Sequence, residues 1–301
     1  MKITKTTDPQ SKPKIIMICY GNGGVGKTTF GATAPKPLLV DCENGAKYFG
    51  LRGISMDVAR INDWSDMKGL FEVAQSGEYE TIIIDPVGEL MEKLKRFMIA
   101  KADKKLVMID GSPTMAGWGW LKDTMRTTLK VLRDSGCHIL INAHVSEQDD
   151  EGKILKRPML MTKLSDEIIN MVDIVGYMEV VNTEEGEKRI IRVDSASDKY
   201  LAKDRTGQLG KIIPPNFSEI IEACQGTKTF KWSNKEALVA ESPDEGEAQG
   251  EVTPDKDKAP SKKSSVKDKM KKADSKKVAE EETEEEEDDA VVKNTAPDIE
   301  A

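Results

Sequence analysis

Residues 14–29 read KIIMICYGNGGVGKTT, and this stretch decides the fold. Its first part, 14–20, is an apolar run rich in β-branched residues, which predicts a buried strand. Residues 21–28 then match the spacing G-x-x-x-x-G-K-[ST] in full. A short helix is expected over 28–34, because Pro35 and Pro37 end it. A strand, a glycine-rich turn and a helix in this order predict a phosphate-binding loop.

This P-loop carries the residue types that a triphosphate needs. Its glycines allow backbone N–H groups to turn inward around phosphate oxygens, and the start of the helix adds positive potential. Lys27 is expected to reach the β- and γ-phosphates, and the Thr28 hydroxyl is expected to bind Mg²⁺. The sequence therefore predicts that the chain binds ATP with Mg²⁺ and hydrolyses it. The predicted nucleotide-binding residues are Gly21, Asn22, Gly23, Gly24, Val25, Gly26, Lys27, Thr28 and Thr29.

Acidic residues at or just after strand ends are candidates for the chemistry around the phosphates. Asp85 ends the buried stretch TIIID, where a carboxylate can hold Mg²⁺ or its water, the Walker B role. Glu43 follows the strand LLVDC and could accept a proton from the attacking water. Asp41 and Glu89 are rivals of Glu43 for the role of base.

Short apolar strands alternate with helices along most of the chain. This alternation predicts an α/β domain with a mostly parallel central sheet flanked by helices. Strands are expected at 38–42, 56–61, 81–85 and 137–143, helices at 63–76, 87–102, 121–134, 163–171 and 217–224, and a loop at 103–118. The alternating runs 174–181 and 188–193 predict a β-hairpin with Gly186 near its tip, which would make one edge of the sheet mixed.

The chain divides by composition into three parts. Residues 1–13 form a short polar lead, and residues 14–235 form the predicted ATPase domain. Residues 236–301 contain no aromatic side chain. They hold 11 Lys and 21 acidic residues, so their net charge is −10, while the net charge of the whole chain is −8. The first 235 residues therefore carry about +2. Because the last part cannot bury enough apolar surface to offset its ordering entropy, we predict that it is disordered.

Composition also argues against several classes of protein. The four cysteines form no C-x-x-C pair and two histidines are too few for a zinc site, so reduced, buried thiols are predicted. The polar N-terminus does not resemble a signal peptide, and no apolar run approaches the ~20 residues of a membrane span. We therefore expect a soluble cytoplasmic protein without a membrane partner.

Five sequence motifs together resemble those of the RecA-like ATPases. They are GNGGVGKTT at 21–29, LLVDCENG at 38–45, TIIIDPVGEL at 81–90, HILINAHVSE at 138–147 and KDRTGQLG at 203–210. Their order, and the very short first helix closed by APKP, are most similar to the phage-encoded RecA-like nucleotide-binding proteins, which include the Sak-type single-strand annealing proteins. The resemblance covers residues 14–225.

The resemblance implies roles for residues outside the P-loop. It gives Glu43 the activation of water, and it gives His144, which follows the strand HILINA, the sensing of the γ-phosphate. The alternative for His144 is a plain hydrogen bond at a strand end. Lys203 and Arg205 would reach the phosphates of a neighbouring subunit, which implies a homo-oligomer with head-to-tail subunits. A solvated basic loop is the alternative for these two residues.

The same resemblance implies single-stranded DNA as a partner, in phage recombination, annealing or replication, with a single-stranded DNA-binding protein as a further partner. The loops after Asp85 and after His144 would face the DNA, where aromatic rings suit base stacking and cations suit phosphates. Packing in the core is the alternative for the aromatic residues. The residues concerned are Trp118, Trp120, Lys122, Arg126, Lys153, Lys156 and Arg157.

Other functions also fit the P-loop. GGVGKTT occurs in the ParA/MinD group of partitioning ATPases, but that group has a Lys where this chain has Asn22, and a long helix after the P-loop. The loop could instead serve a nucleotide switch without DNA-coupled hydrolysis. The charged tail could compete with DNA for the basic loops, or it could serve only solubility.

Overall fold

The structure of the chain is a computed structural model that describes residues 12–101, 103–150, 152–160, 162–183 and 186–229. The predicted tail, 236–301, lies outside the described residues, and so do all but the last two residues of the predicted lead, 1–13. The elements described below therefore come almost entirely from the predicted ATPase domain.

Strands and helices alternate along the described residues. The strands are β1 (Ile16–Gly21), β2 (Pro37–Asp41), β3 (Asp57–Arg60), β4 (Thr81–Asp85), β5 (His138–Asp150), β6 (Lys153–Pro158), β7 (Ile174–Thr183), β8 (Gly186–Arg192), β9 (Lys203–Asp204) and β10 (Ile212–Ile213). The α-helices are α1 (Lys27–Gly31), α2 (Met67–Gln75), α3 (Val87–Ala100), α4 (Met115–Arg133), α5 (Thr162–Met171) and α6 (Phe217–Cys224). Among these helices, none combines the length and the hydropathy that spanning a lipid bilayer requires.

One sheet joins all ten strands in the part of the chain that the structure describes. Its main path runs β10-β8-β7-β1-β5-β4-β2-β3, with β6 paired to β5 and β9 paired to β7. The neighbours from β7 to β3 are parallel, whereas β6, β8, β9 and β10 join the sheet by antiparallel pairs. The predicted fold class, an α/β domain with a mostly parallel sheet flanked by helices, is confirmed. The hairpin of β7 and β8 forms the predicted mixed edge.

The sheet separates two apolar layers. Along β1, Ile16, Ile18 and Tyr20 face one layer while Met17 and Cys19 face the other, because successive side chains of a strand point to opposite faces. Helices α2, α3, α4 and α5 complete the first layer, and α1 and α6 complete the second. Burial of both faces is typical of a parallel sheet, and it leaves the strand ends as the places where polar groups can gather.

The structure corrects two predictions about loops. The loop predicted at 103–118 is wrong beyond Thr114, because α4 begins at Met115 and the Thr114 hydroxyl accepts a hydrogen bond from the Gly117 N–H at 3.0 Å. The residues expected to form a loop after His144 form an antiparallel ribbon instead. Strand β5 extends beyond His144 to Asp150, and β6 pairs with this extension in the antiparallel direction. The turn of this ribbon contains Gly152, whose φ of 86° favours glycine.

Candidate functional site

The carboxyl ends of β1, β2 and β4 meet at one edge of the sheet. Gly21, the last residue of β1, is level with His144 of β5, and Asp41 at the end of β2 is level with Asp85 at the end of β4. In open α/β sheets, ligands bind outside the carboxyl ends of the strands. The strand order therefore brings these four sequence-predicted residues to the edge where a ligand is expected.

The glycine-rich turn between β1 and α1 has a backbone that requires glycine. Gly24, with φ of 76°, and Gly26, with φ of 108°, lie in the left-handed region. A Cβ atom on Gly21 would stand 2.3 Å from the carbonyl oxygen of Met178 in β7, so a larger residue would displace the neighbouring strand. Residues 22–24 are exposed, and the loop is therefore accessible to a ligand from solvent.

Lys27 begins α1, and its side chain is buried. Its ammonium group donates hydrogen bonds to the carbonyl oxygens of Gly21 and Asn22, each at 2.9 Å. Burial lowers the pKa of Lys27, and the nearby negative charges of Asp85 and Glu43 oppose that shift. A buried ammonium that is held by neutral carbonyls lacks a full counter-charge, which a phosphate group would supply.

Asp85 and Thr28, the two residues predicted to bind Mg²⁺, are neighbours at the site. Oδ2 of the Asp85 carboxylate accepts a hydrogen bond from the Asn142 amide at 3.0 Å, and the Thr28 hydroxyl lies close enough to this carboxylate to lower its pKa. Burial raises the pKa of Asp85, while Thr28, Asn142 and the charge of Lys27 oppose the rise. The site thus offers a carboxylate and a hydroxyl oxygen side by side, which are suitable ligands for a hard divalent cation.

Asp41, one rival for the role of base, is engaged by the backbone that follows it. Its carboxylate accepts hydrogen bonds from the N–H groups of Glu43, Gly45 and Ala46, at 3.3, 3.0 and 3.2 Å. These bonds hold the turn after β2, in which Asn44 has a φ of 61°. Because three backbone N–H groups already engage its carboxylate, Asp41 is better explained as a residue that shapes this turn.

The turn held by Asp41 presents Glu43 to solvent at the P-loop edge. The charge of Glu43 acts on the pKa of Lys27, less strongly than that of Asp85 does. Glu89, the second rival, lies half-buried in the first turn of α3 and interacts electrostatically with Cys42. Both carboxylates remain candidates for the base, and Glu43 is the one that interacts with the P-loop lysine.

His144 is a half-buried residue of β5, beside the first residue of the P-loop. Its backbone carbonyl accepts a hydrogen bond from the Met159 N–H at 2.7 Å. Its imidazole ring forms no hydrogen bond with any residue that the structure describes. The ring is therefore available to a ligand at this edge of the sheet.

Lys203 and Arg205 lie far from the P-loop of their own chain. Strand β9 pairs with the first residues of β7, at the amino ends of the parallel strands. Both side chains donate to backbone carbonyls at the end of α5, Lys203 at 2.8 and 2.7 Å and Arg205 at 2.7 Å. The structure therefore does not bring these two residues together with the other predicted site residues.

All five cations predicted to face DNA have partners within the chain. Trp118 is 41% exposed on the first turn of α4, whereas Trp120 packs against the core. Ion pairs join Lys122 and Arg126 to Glu167, Lys153 to Asp198 and Arg157 to Asp166, and the Lys156 ammonium lies 5.2 Å from the ring centre of Tyr177. A polyanion at these cations would have to replace those partners.

Two residues at the site were not singled out from the sequence. Asn142 is fully buried within the apolar stretch HILINAH, and a lone amide in such a strand is a signal because a buried polar group needs a partner. Arg189 of β8 donates from Nε to the carbonyl oxygen of Val25, at 3.0 Å. No local pattern points to Arg189, since 164 residues separate the two partners.

Comparison with known proteins gives one family match and several distant structural likenesses. Residues 13–206 match the family AAA_24, described as an AAA domain. No curated protein sequence matches the chain. Similar solved structures include the KaiC-like protein PH0186 from Pyrococcus horikoshii OT3, with 13% identity, a TM-score of 0.36, and coverage of 59% of this chain and 77% of that one. Another is the flagellar accessory protein FlaH from Methanocaldococcus jannaschii, with 12% identity, a TM-score of 0.35, and coverage of 62% and 79%.

Proposed function

The chain belongs to the AAA domain family through residues 13–206, and on this basis we propose that it binds ATP with Mg²⁺ at its P-loop and hydrolyses it. One observation carries the proposal. Lys27, Thr28 and Asp85 converge beside a glycine-rich turn at the carboxyl edge of the sheet, and the first is a buried cation without a carboxylate at ion-pair distance among the described residues.

Each of these three residues then has a defined task. Lys27 binds the phosphate chain in place of the carbonyl oxygens that now accept its hydrogen bonds. Thr28 and Asp85 supply the oxygen ligands for Mg²⁺, which when bound neutralises charge on the phosphates. The positive-φ glycines fit this assignment, because that backbone conformation lets successive N–H groups turn toward an anion.

The base and the γ-phosphate sensor are proposed from position. We assign the base to Glu43, because its exposed carboxylate interacts with Lys27 whereas the carboxylate of Asp41 is held by backbone N–H groups. We assign the sensor to His144, because it is level with Gly21 in the neighbouring strand. Glu89 is the alternative to Glu43.

We also propose a homo-oligomer in which subunits stack head to tail. The P-loop follows Gly21 at the carboxyl end of β1, whereas the register through β7 sets Lys203 level with Ile18, about 10 Å back along the strand, and Arg205 lies two residues further toward the amino end. Both side chains are held by carbonyl oxygens at the end of α5 and therefore do not reach the P-loop of their own chain. A neighbour stacked in the same orientation would present both cations to the P-loop, and the Arg205 side chain is 56% exposed.

Single-stranded DNA is the polymer that we propose this ATPase acts on, in phage recombination, annealing or replication in the host cytoplasm. The order of the five motifs supports this, and the exposed ring of Trp118 suits base stacking. The ion pairs of Lys122 and Arg126 with Glu167 imply that DNA would compete with this acidic residue. A single-stranded DNA-binding protein is a further proposed partner.

Steady-state ATP hydrolysis, measured with and without single-stranded DNA, tests both the proposed ATPase activity and its proposed dependence on DNA. We expect Lys27→Ala to abolish turnover, and Glu43→Gln to slow it about 100-fold or more while ATP still binds. Glu89→Gln is the matched control and should stay close to wild type. Turnover that survives Lys27→Ala would refute the ATPase, and loss in Glu89→Gln alone would move the base to Glu89.

The measurements with single-stranded DNA distinguish a DNA-coupled ATPase from a partitioning ATPase and from a nucleotide switch. DNA stimulation of the wild type, lost in both Lys27→Ala and Glu43→Gln, would support DNA-coupled hydrolysis. Turnover that depends on Lys27 but ignores DNA would retain the ATPase and remove DNA as its partner. A face-to-face dimer around ATP would then favour a partitioning ATPase, and slow turnover in a monomer would favour a nucleotide switch.

A further inference from the structure

The hairpin of β7 and β8 lies directly against the P-loop. Tyr177 of β7 pairs with Tyr20, the next-to-last residue of β1, and the hairpin continues beyond that point. The carbonyl oxygen of Met178 then stands 2.3 Å from the place that a Cβ on Gly21 would occupy. One side of the loop is therefore covered by backbone that belongs to a distant part of the chain.

Arg189 reaches the loop from the second strand of this hairpin. Its Nε donates to the carbonyl oxygen of Val25 at 3.0 Å. Its Cδ and Nε atoms each lie 3.3 Å from the position of a Cβ on Gly26, so the absence of a side chain there lets the guanidinium approach. The residue is otherwise exposed.

The guanidinium of Arg189 has donors that are not in use. An arginine carries five N–H donors in a rigid planar fork, and only the Nε–H is engaged by Val25. No carboxylate of the described residues forms an ion pair with Arg189, and its terminal nitrogens form no hydrogen bond with those residues. A fork of this kind suits contact with two phosphate oxygens at once.

We propose that Arg189 contacts the phosphate chain of the nucleotide held in the P-loop of its own subunit, as a second cation beside Lys27. This inference rests on the proposed function, because it requires a nucleotide at that loop. Lys27 approaches from α1 and Arg189 from the hairpin, so the phosphates lie between two cations. Helix α1 has only five residues and therefore few aligned peptide dipoles, which increases the share of binding that side-chain cations must supply.

Three substitutions separate the charge of Arg189 from its bond to the loop. Arg189→Ala removes both. Arg189→Gln keeps an N–H donor for the Val25 carbonyl but has no charge, and Arg189→Lys keeps the charge without the planar fork. Lys188→Ala is the matched control, because it removes a positive charge from the adjacent position of β8, whose side chain points to the opposite face.

The experiment is calorimetric titration of the full chain with ATP and Mg²⁺. We expect about tenfold weaker ATP binding in Arg189→Ala and in Arg189→Gln alike, a smaller loss in Arg189→Lys, and wild-type binding in Lys188→Ala. Thermal unfolding without nucleotide checks that each variant is folded. Wild-type binding in Arg189→Gln would overturn the inference, since the bond to Val25 would then explain the role of Arg189.

The inference and the proposed function fail in different ways. Tight ATP binding that survives Lys27→Ala would refute the proposed nucleotide site, and with it the inference. Binding that is lost in Lys27→Ala but unchanged in all three Arg189 variants would overturn only the inference. Weakening in Arg189→Ala and Arg189→Gln together, beside normal binding in Lys188→Ala, supports both.

Discussion

The side-chain amide of Asn142 donates a hydrogen bond to Oδ2 of Asp85 at 3.0 Å, across two neighbouring strands. The other polar atom of this amide, Oδ1, is buried and has no partner among the described residues. A buried acceptor without a donor costs free energy. Its position beside the carboxylate proposed to hold Mg²⁺ suits it to accept a hydrogen bond from a water molecule at the metal site.

Asn142→Ala should therefore affect both stability and the metal site. The variant removes a donor from the buried Asp85 carboxylate, and we expect the free energy of unfolding to fall by about 1–3 kcal/mol in urea titrations without nucleotide. The Mg²⁺ concentration for half-maximal ATP hydrolysis should rise. Asn142→Asp keeps the volume but sets a second carboxyl beside Asp85, so a variant as stable as wild type would disprove the importance of this bond.

Asp85→Asn should stabilise the nucleotide-free protein while it abolishes hydrolysis. Burial raises the pKa of Asp85, so the folded state binds this proton more tightly than the unfolded state. Proton binding by Asp85 therefore stabilises the fold. This stabilisation is fully present at a pH below the pKa of Asp85 in the unfolded chain, and it is lost as pH rises through the higher pKa of Asp85 in the folded chain. A neutral amide avoids that loss, and we expect Tm to rise by about 2–4 °C at pH 7.

Differential scanning calorimetry from neutral to acid pH checks this prediction. The advantage of Asp85→Asn should shrink as pH falls toward ~3.9, where the wild-type carboxyl also becomes neutral in the unfolded chain. A Tm below that of wild type at pH 7 would mean that ionised Asp85 stabilises the fold, contrary to the direction of its pKa shift.

His138 should make the protein less stable in mild acid. The ring is buried at the start of β5, and its Nδ1 accepts a hydrogen bond from the Ile15 N–H at 3.0 Å, which only an unprotonated Nδ1 can do. Burial lowers the pKa of His138 from 6.5 to about 4. Its stability contribution is therefore full above pH 6.5 and is lost as pH falls to about 4, by about 3 kcal/mol.

Urea unfolding at several pH values between these limits measures the loss. His138→Asn keeps an acceptor for the Ile15 N–H but cannot titrate, so its free energy of unfolding should depend less on pH. Identical pH profiles for this variant and the wild type would exclude His138 as the cause.

Gly21→Ala and Gly23→Ala form a matched pair that tests the contact between the P-loop and the hairpin. A Cβ on Gly21 would meet the Met178 carbonyl oxygen at 2.3 Å, whereas a Cβ on Gly23 would have no atom within 4 Å. We expect Gly21→Ala to lower the free energy of unfolding by about 2–3 kcal/mol and Gly23→Ala to change it by less than about 0.5 kcal/mol. Equal thermal stability of the two variants would show that the hairpin of β7 and β8 does not pack against the P-loop at Gly21.

Mixing of two inactive variants tests the proposed head-to-tail arrangement. Lys27→Ala keeps the basic residues at the amino edge, and Arg205→Ala keeps an intact P-loop. In a random equal mixture, about a quarter of the interfaces would combine an intact P-loop with an intact Arg205, so about a quarter of wild-type ATP hydrolysis should return. A mixture as inactive as its components would argue against a shared site, provided that Arg205→Ala unfolds at the wild-type temperature.

Local sequence patterns predict the bounds of an element correctly where its apolar residues all face the core. All five residues of Thr81–Asp85 are buried, and this strand has its predicted bounds, as does the helix Phe217–Cys224. The sequence does not predict the start of α4, because Gly117 and Gly119 lower helix propensity. The structure explains Gly117 by a tertiary contact, since a Cβ there would stand 2.1 Å from the Leu106 carbonyl oxygen.

Short sequence motifs predict some of the site residues, whereas other site residues are joined by contacts between distant parts of the sequence. The P-loop spacing pointed to Lys27 and Thr28, and the buried strand pointed to Asp85, because each signal lies within a few neighbouring residues. The bond from Asn142 to Asp85 spans 57 residues, and the bond from Arg189 to Val25 spans 164. Such pairs follow from strand order and hairpin position, which the amino-acid pattern near each residue does not encode.

The P-loop and the Lys203–Arg205 pair occupy opposite edges of the sheet, and this limits how many sites an assembly can complete. An open stack of like-oriented subunits would leave the P-loop of one terminal subunit without a neighbour's cations. Such a stack has one fewer complete site than it has subunits, whereas a closed ring has as many sites as subunits. Specific activity would then rise with protein concentration as stacks lengthen, and it would reach its ceiling when a ring closes.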